Sequence, residues 1–459
     1  MNPPRTLPYS LPRELLHLAW PVLISQTAVM ANGVIDTLMA GRISALDLAA
    51  VGIGASIYST VFVTLMGVLL ALTPTVAHHY GAGRFTEIGA DVRQSVWLAL
   101  ALSVVAVLLL RNPEPFLMLA RPTAEVEATV RAYLLAMSWT VPAILLFRVY
   151  YGFTTGIGRP RPVMLFNLFA LALKVPLNAV LMFGGLGLPA LGAEGAGWSS
   201  ALTTWCLMLA AWGWCRRDDD YARYAVFARF DWPRWVALRA LLALGLPIGA
   251  TFLVDVTAFS FMALFVARLG AETSAAHQVA ASVAVFVFMI PMALGHATGV
   301  LVGQSLGAGK PQRARDAAVL GMAAGLGIGV LIAAGIGFGA AQLAALYSPD
   351  AAVQTIATGL LVLVAFYHLG DAVQAVGAQV LRGYKRATAP MVIYALALWG
   401  VGLGGGYVLG LTDLLGAPRG AAGFWMAGSA SLLLAGVAIL VYFERVSRYS
   451  AANPASSKA

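Results

Sequence analysis

Twelve apolar stretches, each long enough to cross a bilayer, leave this chain few ways to fold. They lie near 15–39, 50–77, 94–110, 129–152, 162–184, 194–215, 240–266, 276–302, 317–341, 353–380, 390–410 and 421–443. About 20 apolar residues in a helix span the roughly 30 Å hydrocarbon core. Inside that core every backbone polar group must be satisfied by the chain itself, so only helices and closed barrels can span it. The period-two alternation of barrel strands is absent, which leaves helices. Composition agrees: 60% of the 459 residues are hydrophobic and 11% charged, against roughly 45–50% and 25% in a soluble domain. The expected fold class is therefore an all-α membrane protein with 12 transmembrane helices. Its N-terminus lacks a secretory cleavage pattern, so the first span is expected to be retained.

The net charge of +9 does not point to nucleic acid, because the basic residues form no patch interleaved with aromatics. They fall in short loops instead. The N-terminal tail, every second loop and the C-terminal tail hold 21 Lys and Arg; the opposite loops hold 5, and Arg131, Arg148 and Lys174 lie within spans. Positive loops stay cytoplasmic, so both termini are expected in the cytoplasm. Cys206 and Cys215 share one span and support neither a disulfide framework nor a metal site.

The chain also repeats itself at an offset of 226. Trp20-Pro21 matches Leu246-Pro247, Gly81-Ala82-Gly83-Arg84 matches Gly307-Ala308-Gly309-Lys310, and Gly195-Ala196-Gly197-Trp198 matches Ala421-Ala422-Gly423-Phe424. Six spans per unit start both halves on the same side, a parallel repeat with a binding site expected between the halves. The spacing predicts a six-helix lobe over 1–215, a cytoplasmic linker over 216–239, a second six-helix lobe over 240–444 and a cytoplasmic tail over 445–459.

Three of the 20 acidic residues fall well inside expected spans: Asp36, Asp255 and Asp371. A carboxylate at membrane depth costs several kcal/mol, so it faces a bundle interior or wet cavity and marks an ion or substrate path. At the 226 offset Asp255 corresponds to Val29, about two helical turns from Asp36. Tyr367 precedes Asp371 by four residues and Phe259 follows Asp255 by four, placing an aromatic ring beside each acid of the second half. Charge and cation–π attraction together suit a lipophilic cation, while Phe259 taken alone is expected to serve ordinary packing of its lobe.

Lys174 lies one turn before Asn178 on the fifth span. A buried ammonium needs an anion, and Asp36 is the only deep acid in the first six spans. Such a pair either serves geometry alone or fills the space of a sodium ion and responds to protons. Arg148, near a span end, is expected to reach the interface along its own stem. Gln278 starts the eighth span near the outer side, and Asp350 falls in an outer loop, where either touching substrate or capping a helix would suit it. Gly295, Gly299, Gly303 and Gly307 recur every four residues, which allows close helix contact. No metal-ligand cluster, phosphate loop or nucleophile elbow is visible, so the chain is expected to be no enzyme and to draw energy from an ion gradient.

These marks together resemble the multidrug and toxic compound extrusion (MATE) family, in particular its NorM-type bacterial members. They are Trp20-Pro21 with Asp36, Thr73-Pro74 through Arg84, Leu246-Pro247 with Asp255, Ala275-Ala276-His277-Gln278, and Asp371 through Leu381-Arg382-Gly383-Tyr384. The resemblance implies an inner-membrane antiporter coupling entry of H+ or Na+ to export of organic cations, including dyes and fluoroquinolones. It implies coupling-ion roles for Asp36, Asp255, Asp371 and Tyr367, a candidate Na+ site at Asp255 and Asp371, and drug contacts at Gln278, Phe259 and Asp350. No cofactor is implied beyond the coupling ion. The expected partners are small cationic molecules and membrane lipid, with a monomeric chain. Two departures stand out. Asp255 replaces a glutamate usual in such members, and Lys174 replaces a neutral polar residue, which turns first-lobe coupling toward protons. The alternative within transport is a lipid-linked oligosaccharide flippase, which would line its cavity with Arg and Lys. An intramembrane enzyme would need a nucleophile–base or metal constellation on facing helices, and a passive channel would not need isolated acids in a two-lobe repeat.

Overall fold

The computed structural model describes residues 10–452, which are helical almost throughout. The helices are α1 (Leu11–Gly41), α2 (Ala45–Leu69), α3 (Leu72–Gly81), α4 (Phe85–Arg111), α5 (Glu114–Ala120), α6 (Ala124–Ser138), α7 (Thr140–Gly156), α8 (Pro160–Phe183), α9 (Gly192–Arg217) and α10 (Asp219–Ala222). They continue with α11 (Trp235–Ala267), α12 (Ala271–Gly307), α13 (Pro311–Phe338), α14 (Ala340–Tyr347), α15 (Ala351–Gly383), α16 (Thr388–Ala395), a π-helical stretch over Leu396–Gly404, α17 (Gly405–Leu411) and α18 (Ala421–Ala452). Ten spans, including α2–α3 and the run from α16 to α17, are long and apolar enough to cross a membrane. The pair α6 and α7, bent by 41°, makes an eleventh. At 26 residues α9 is long enough to be the twelfth, its hydropathy diluted by Glu194, Arg216, Arg217 and several Ser, Thr and Trp. The twelve-helix expectation thus holds in number, with the fourth span broken at Trp139. The last helix also runs past 443 to Ala452, where Glu444 bonds Arg448 one turn on and Arg315 of α13.

By their contacts the described residues form two compact units: Ile24–Gly249, and residues up to Leu23 together with those from Ala250 onward. Two helices, α1 and α11, therefore each start in one unit and end in the other. Pro21 and Pro247, matched in the repeat, sit inside these helices, two or three residues before the changeover. Proline has no backbone N–H to give, so each long helix lacks one intrahelical hydrogen bond close to where it changes unit.

The repeat is visible in the turns as well. The α3 helix ends with Gly83 at φ +71 and α12 with Gly309 at φ +69, a left-handed conformation that glycine adopts without a Cβ penalty. Each closes the same pair of bonds: Gly83 N to Tyr80 O and Arg84 N to His79 O, Gly309 N to Leu306 O and Lys310 N to Ser305 O. These satisfy carbonyls otherwise orphaned at a helix C-terminus. In the second unit α15 is the central element, packed against α12, α13 and α18. Gly295 and Gly299 make its approach to α12 possible, since a Cβ at Gly299 would lie 2.7 Å from the Gln379 carbonyl oxygen.

Candidate functional site

Within the unit Ile24–Gly249, α1, α8 and α9 bring four polar side chains together. Lys174 Nζ lies 3.0 Å from Asp36 Oδ1, with both side chains buried. Asn178, one turn on from Lys174, donates to the same oxygen at 2.7 Å. Lys174 also hydrogen-bonds Ser200 Oγ, and the Ala196 carbonyl at 3.4 Å. Ser200 was not singled out from sequence, because a serine in a small-residue helix face gives no distinguishing signal. This is a compact charge-neutral cluster in which the ammonium has three oxygen neighbours. Two turns before Lys174, Asn167 donates to Ser25 Oγ at 2.6 Å, a second polar tie between α1 and α8.

In the other unit Asp255 on α11 and Asp371 and Tyr367 on α15 lie close enough to influence one another electrostatically. Tyr394 of α16 completes the group by donating a 2.5 Å hydrogen bond to Asp255 Oδ1. It went unnoticed in the sequence, although a tyrosine early in the apolar eleventh span is a visible mark. Asp371 makes no hydrogen bond to any described residue. One turn from each acid, Phe259 meets Tyr367 edge to face with centroids 6.2 Å apart, and Tyr367 meets Trp425 at 5.4 Å. These rings, with Met262, Leu398 and Phe424, line a small apolar recess with a free volume of about 20 Å3. Behind it His277, buried, accepts a hydrogen bond from Trp425 Nε1 at 3.3 Å. The arrangement sets an apolar, ring-lined surface one helical turn from the carboxylates of Asp255 and Asp371.

Gln278 is exposed on α12 and no side-chain bond joins it to this group. Asp350 caps α15, accepting from Ala352 N at 2.8 Å and Val353 N at 3.4 Å. Arg148 departs from expectation. Its side chain turns inward, at 8% exposure, because every residue from Phe147 to Gly156 on α7 is buried and leaves no lipid-facing route to the interface.

Twelve spanning helices, an internal repeat and buried acids in each half define a polytopic membrane protein of transporter type. The MatE family model matches residues 21–180 and again 247–408, a double match at the repeat offset seen in the sequence. The chain belongs to the MatE family, which is a family of membrane transporters and not of enzymes. It is 41% identical over 446 residues to a probable multidrug resistance protein NorM of Aromatoleum aromaticum, covering 95% of this chain and 96% of that one. It is 39% identical to multidrug resistance protein PmpM of Pseudomonas aeruginosa, with coverages of 95% and 92%. The eukaryotic MATE transporter AtDTX14 superposes with a TM-score of 0.85 over 97% of this chain and 99% of that one, at 17% identity. The Vibrio cholerae MATE transporter VcmN in the bent form gives 0.80 over 96% and 97%, at 19%. These two structures speak for the fold alone.

Proposed function

We propose that this chain exports amphipathic organic cations by alternating access, driven by cations that enter down their gradient. Relatives named multidrug resistance proteins at 39–41% identity support the substrate class. So do the aromatic rings one turn from the buried Asp371 and the half-buried Asp255. A coupling cation at Asp255 and Asp371, supported by Tyr367 and Tyr394, neutralises the charge that attracts the substrate and favours its release outside. One elementary charge crossing 100 mV contributes about 2.3 kcal/mol to the cycle. The excess of Lys and Arg in alternate loops supports an inner-membrane protein with both termini cytoplasmic.

The observation that carries the coupling reading is the Lys174–Asp36 pair. The ammonium occupies the carboxylate's cation position, so the first lobe is written for protons and not sodium. A proton arriving at Asp36 removes the charge attraction tying α1 to α8. The test uses proteoliposomes loaded with a fluorescent organic cation under separate sodium and pH gradients, with Asp36→Asn and Asp371→Asn beside the wild type. Efflux driven by the pH gradient and lost in both variants is the expected result. Efflux with sodium alone would overturn proton coupling, and gradient-independent efflux equal in all three would overturn the exporter reading.

A further inference from the structure

Arg148 is the one charged side chain deep in the first unit that the proposed transport cycle leaves unused. Its Nε is enclosed without a hydrogen-bond partner among the described residues. Phe62 and Tyr151 place their ring centroids 5.9 Å and 5.4 Å from it. Tyr58 stacks on Phe62 at 5.5 Å and lies close enough to interact with the charge. The contrast with Arg382 in the other unit is instructive: it is equally buried beside Phe252, yet donates to Gln379 Oε1 at 3.2 Å.

Magnitudes say the aromatic rings are not enough. A buried ion costs several kcal/mol of lost hydration, whereas a desolvated cation–π contact returns about 2 kcal/mol. A guanidinium is satisfied by an oxyanion that accepts two parallel N–H bonds. Tyr58 and Phe62 are only half-buried, so part of each ring is left accessible to stack on a flat apolar body. We infer that Arg148, Tyr58, Phe62 and Tyr151 form a binding site for the carboxylate of an aromatic amphiphile. The inference leans on the multidrug reading for the kind of ligand, but not on any coupling ion, and binding alone tests it.

The probes are rhodamine B, a zwitterion with a free carboxylate, and its ethyl ester, a cation otherwise alike. Fluorescence anisotropy with the full chain in phosphatidylcholine nanodiscs reads both affinities without a gradient. Arg148→Gln is expected to weaken rhodamine B at least about tenfold and to leave the ester within about twofold, which also shows that the variant is folded; Arg148→Lys falls between. In the wild type, benzoate is expected to displace rhodamine B and not the ester, an arm that needs no variant. Equal effects on both dyes, no effect on either, no benzoate selectivity, or no rhodamine B binding by the wild type would each overturn the site. So would loss of rhodamine B binding in phosphatidylglycerol nanodiscs, which would give Arg148 to a lipid headgroup.

Discussion

Tyr394 on α16 donates a 2.5 Å hydrogen bond to Asp255 on α11, a residue 139 positions away in the chain. Five residues further on, in the π-helical stretch, Trp399 Nε1 donates to the carbonyl of Val254 at 3.2 Å. One span thus grips two consecutive residues of another, one through its side chain and one through its backbone. The π-helical stretch that carries Trp399 begins two residues after Tyr394; such turns are rare and gather at functional sites.

The bond predicts a strong coupling between its partners. A hydrogen bond to a charged group is worth about 1.5–3 kcal/mol, and Tyr394→Phe leaves the half-buried Asp255 carboxylate without it. Thermal melts followed by tryptophan fluorescence should show Tyr394→Phe clearly destabilised in the wild-type background. In an Asp255→Asn background the same change should cost less than half as much. Equal costs in both backgrounds would mean that the phenol acts by packing alone.

What could be read in advance here depended on chemical cost. Acids and a lysine inside apolar spans are expensive, so Asp36, Asp255, Asp371 and Lys174 announced themselves one by one. Their neighbours Tyr394 and Ser200 carry no such penalty, and only tertiary geometry shows them bonded to the anomalous residues. Helix number was legible because a bilayer sets span length. The break at Trp139 and the passage of α1 and α11 between units were not, since helical periodicity says nothing about which bundle a face joins. For Arg148, closeness to the helix end favours snorkelling, but the burial of its whole helix turn decides its direction.

The pair of Lys174 with Asp36 should behave as a unit. Removing one member of a buried ion pair strands the other, typically at about 3–5 kcal/mol, whereas replacing both by neutral groups of similar volume is far milder. Lys174→Met and Asp36→Asn should each lower the melting temperature substantially, and the double variant should melt closer to the wild type than either. A double variant as unstable as the sum of the singles would show that the charges act independently.

Two glycines on α15 should respond in opposite ways to one added methyl. A Cβ at Gly370 would lie 2.6 Å from Leu433 N and 2.7 Å from the Leu432 carbonyl carbon, backbone atoms of α18 that cannot turn aside. A Cβ at Gly359 meets nothing within 4 Å. Gly370→Ala should cost about 1–3 kcal/mol as overpacking. Gly359→Ala should be neutral or stabilise by up to about 1 kcal/mol through helix propensity. Melting temperatures of the two variants, measured side by side, check the packing of α15 on α18.

The segment after α10 is fastened to α4 by an acid whose titration fixes a pH window. Arg93 Nε lies 2.6 Å from Asp231 Oδ2, Trp97 Nε1 donates to the Asp231 carbonyl, and Gln94 bonds the Trp232 carbonyl and Arg234 N. The hydrogen bond from Arg93 holds the Asp231 carboxyl below its ordinary range. A carboxyl depressed by folding contributes stability above its unfolded value, near 3.9, and loses it as pH falls through the lower folded value. Hydrogen–deuterium exchange of a peptide covering 223–236, corrected for the intrinsic rate, should therefore stay protected at neutral pH and at about pH 5, then open below about pH 4. Asp231→Asn should open it at neutral pH, leaving Lys174 and α8 protected. Protection unchanged by the variant would show that the stack of Trp97 on Trp232, with centroids 6.2 Å apart, holds the segment without the ion pair.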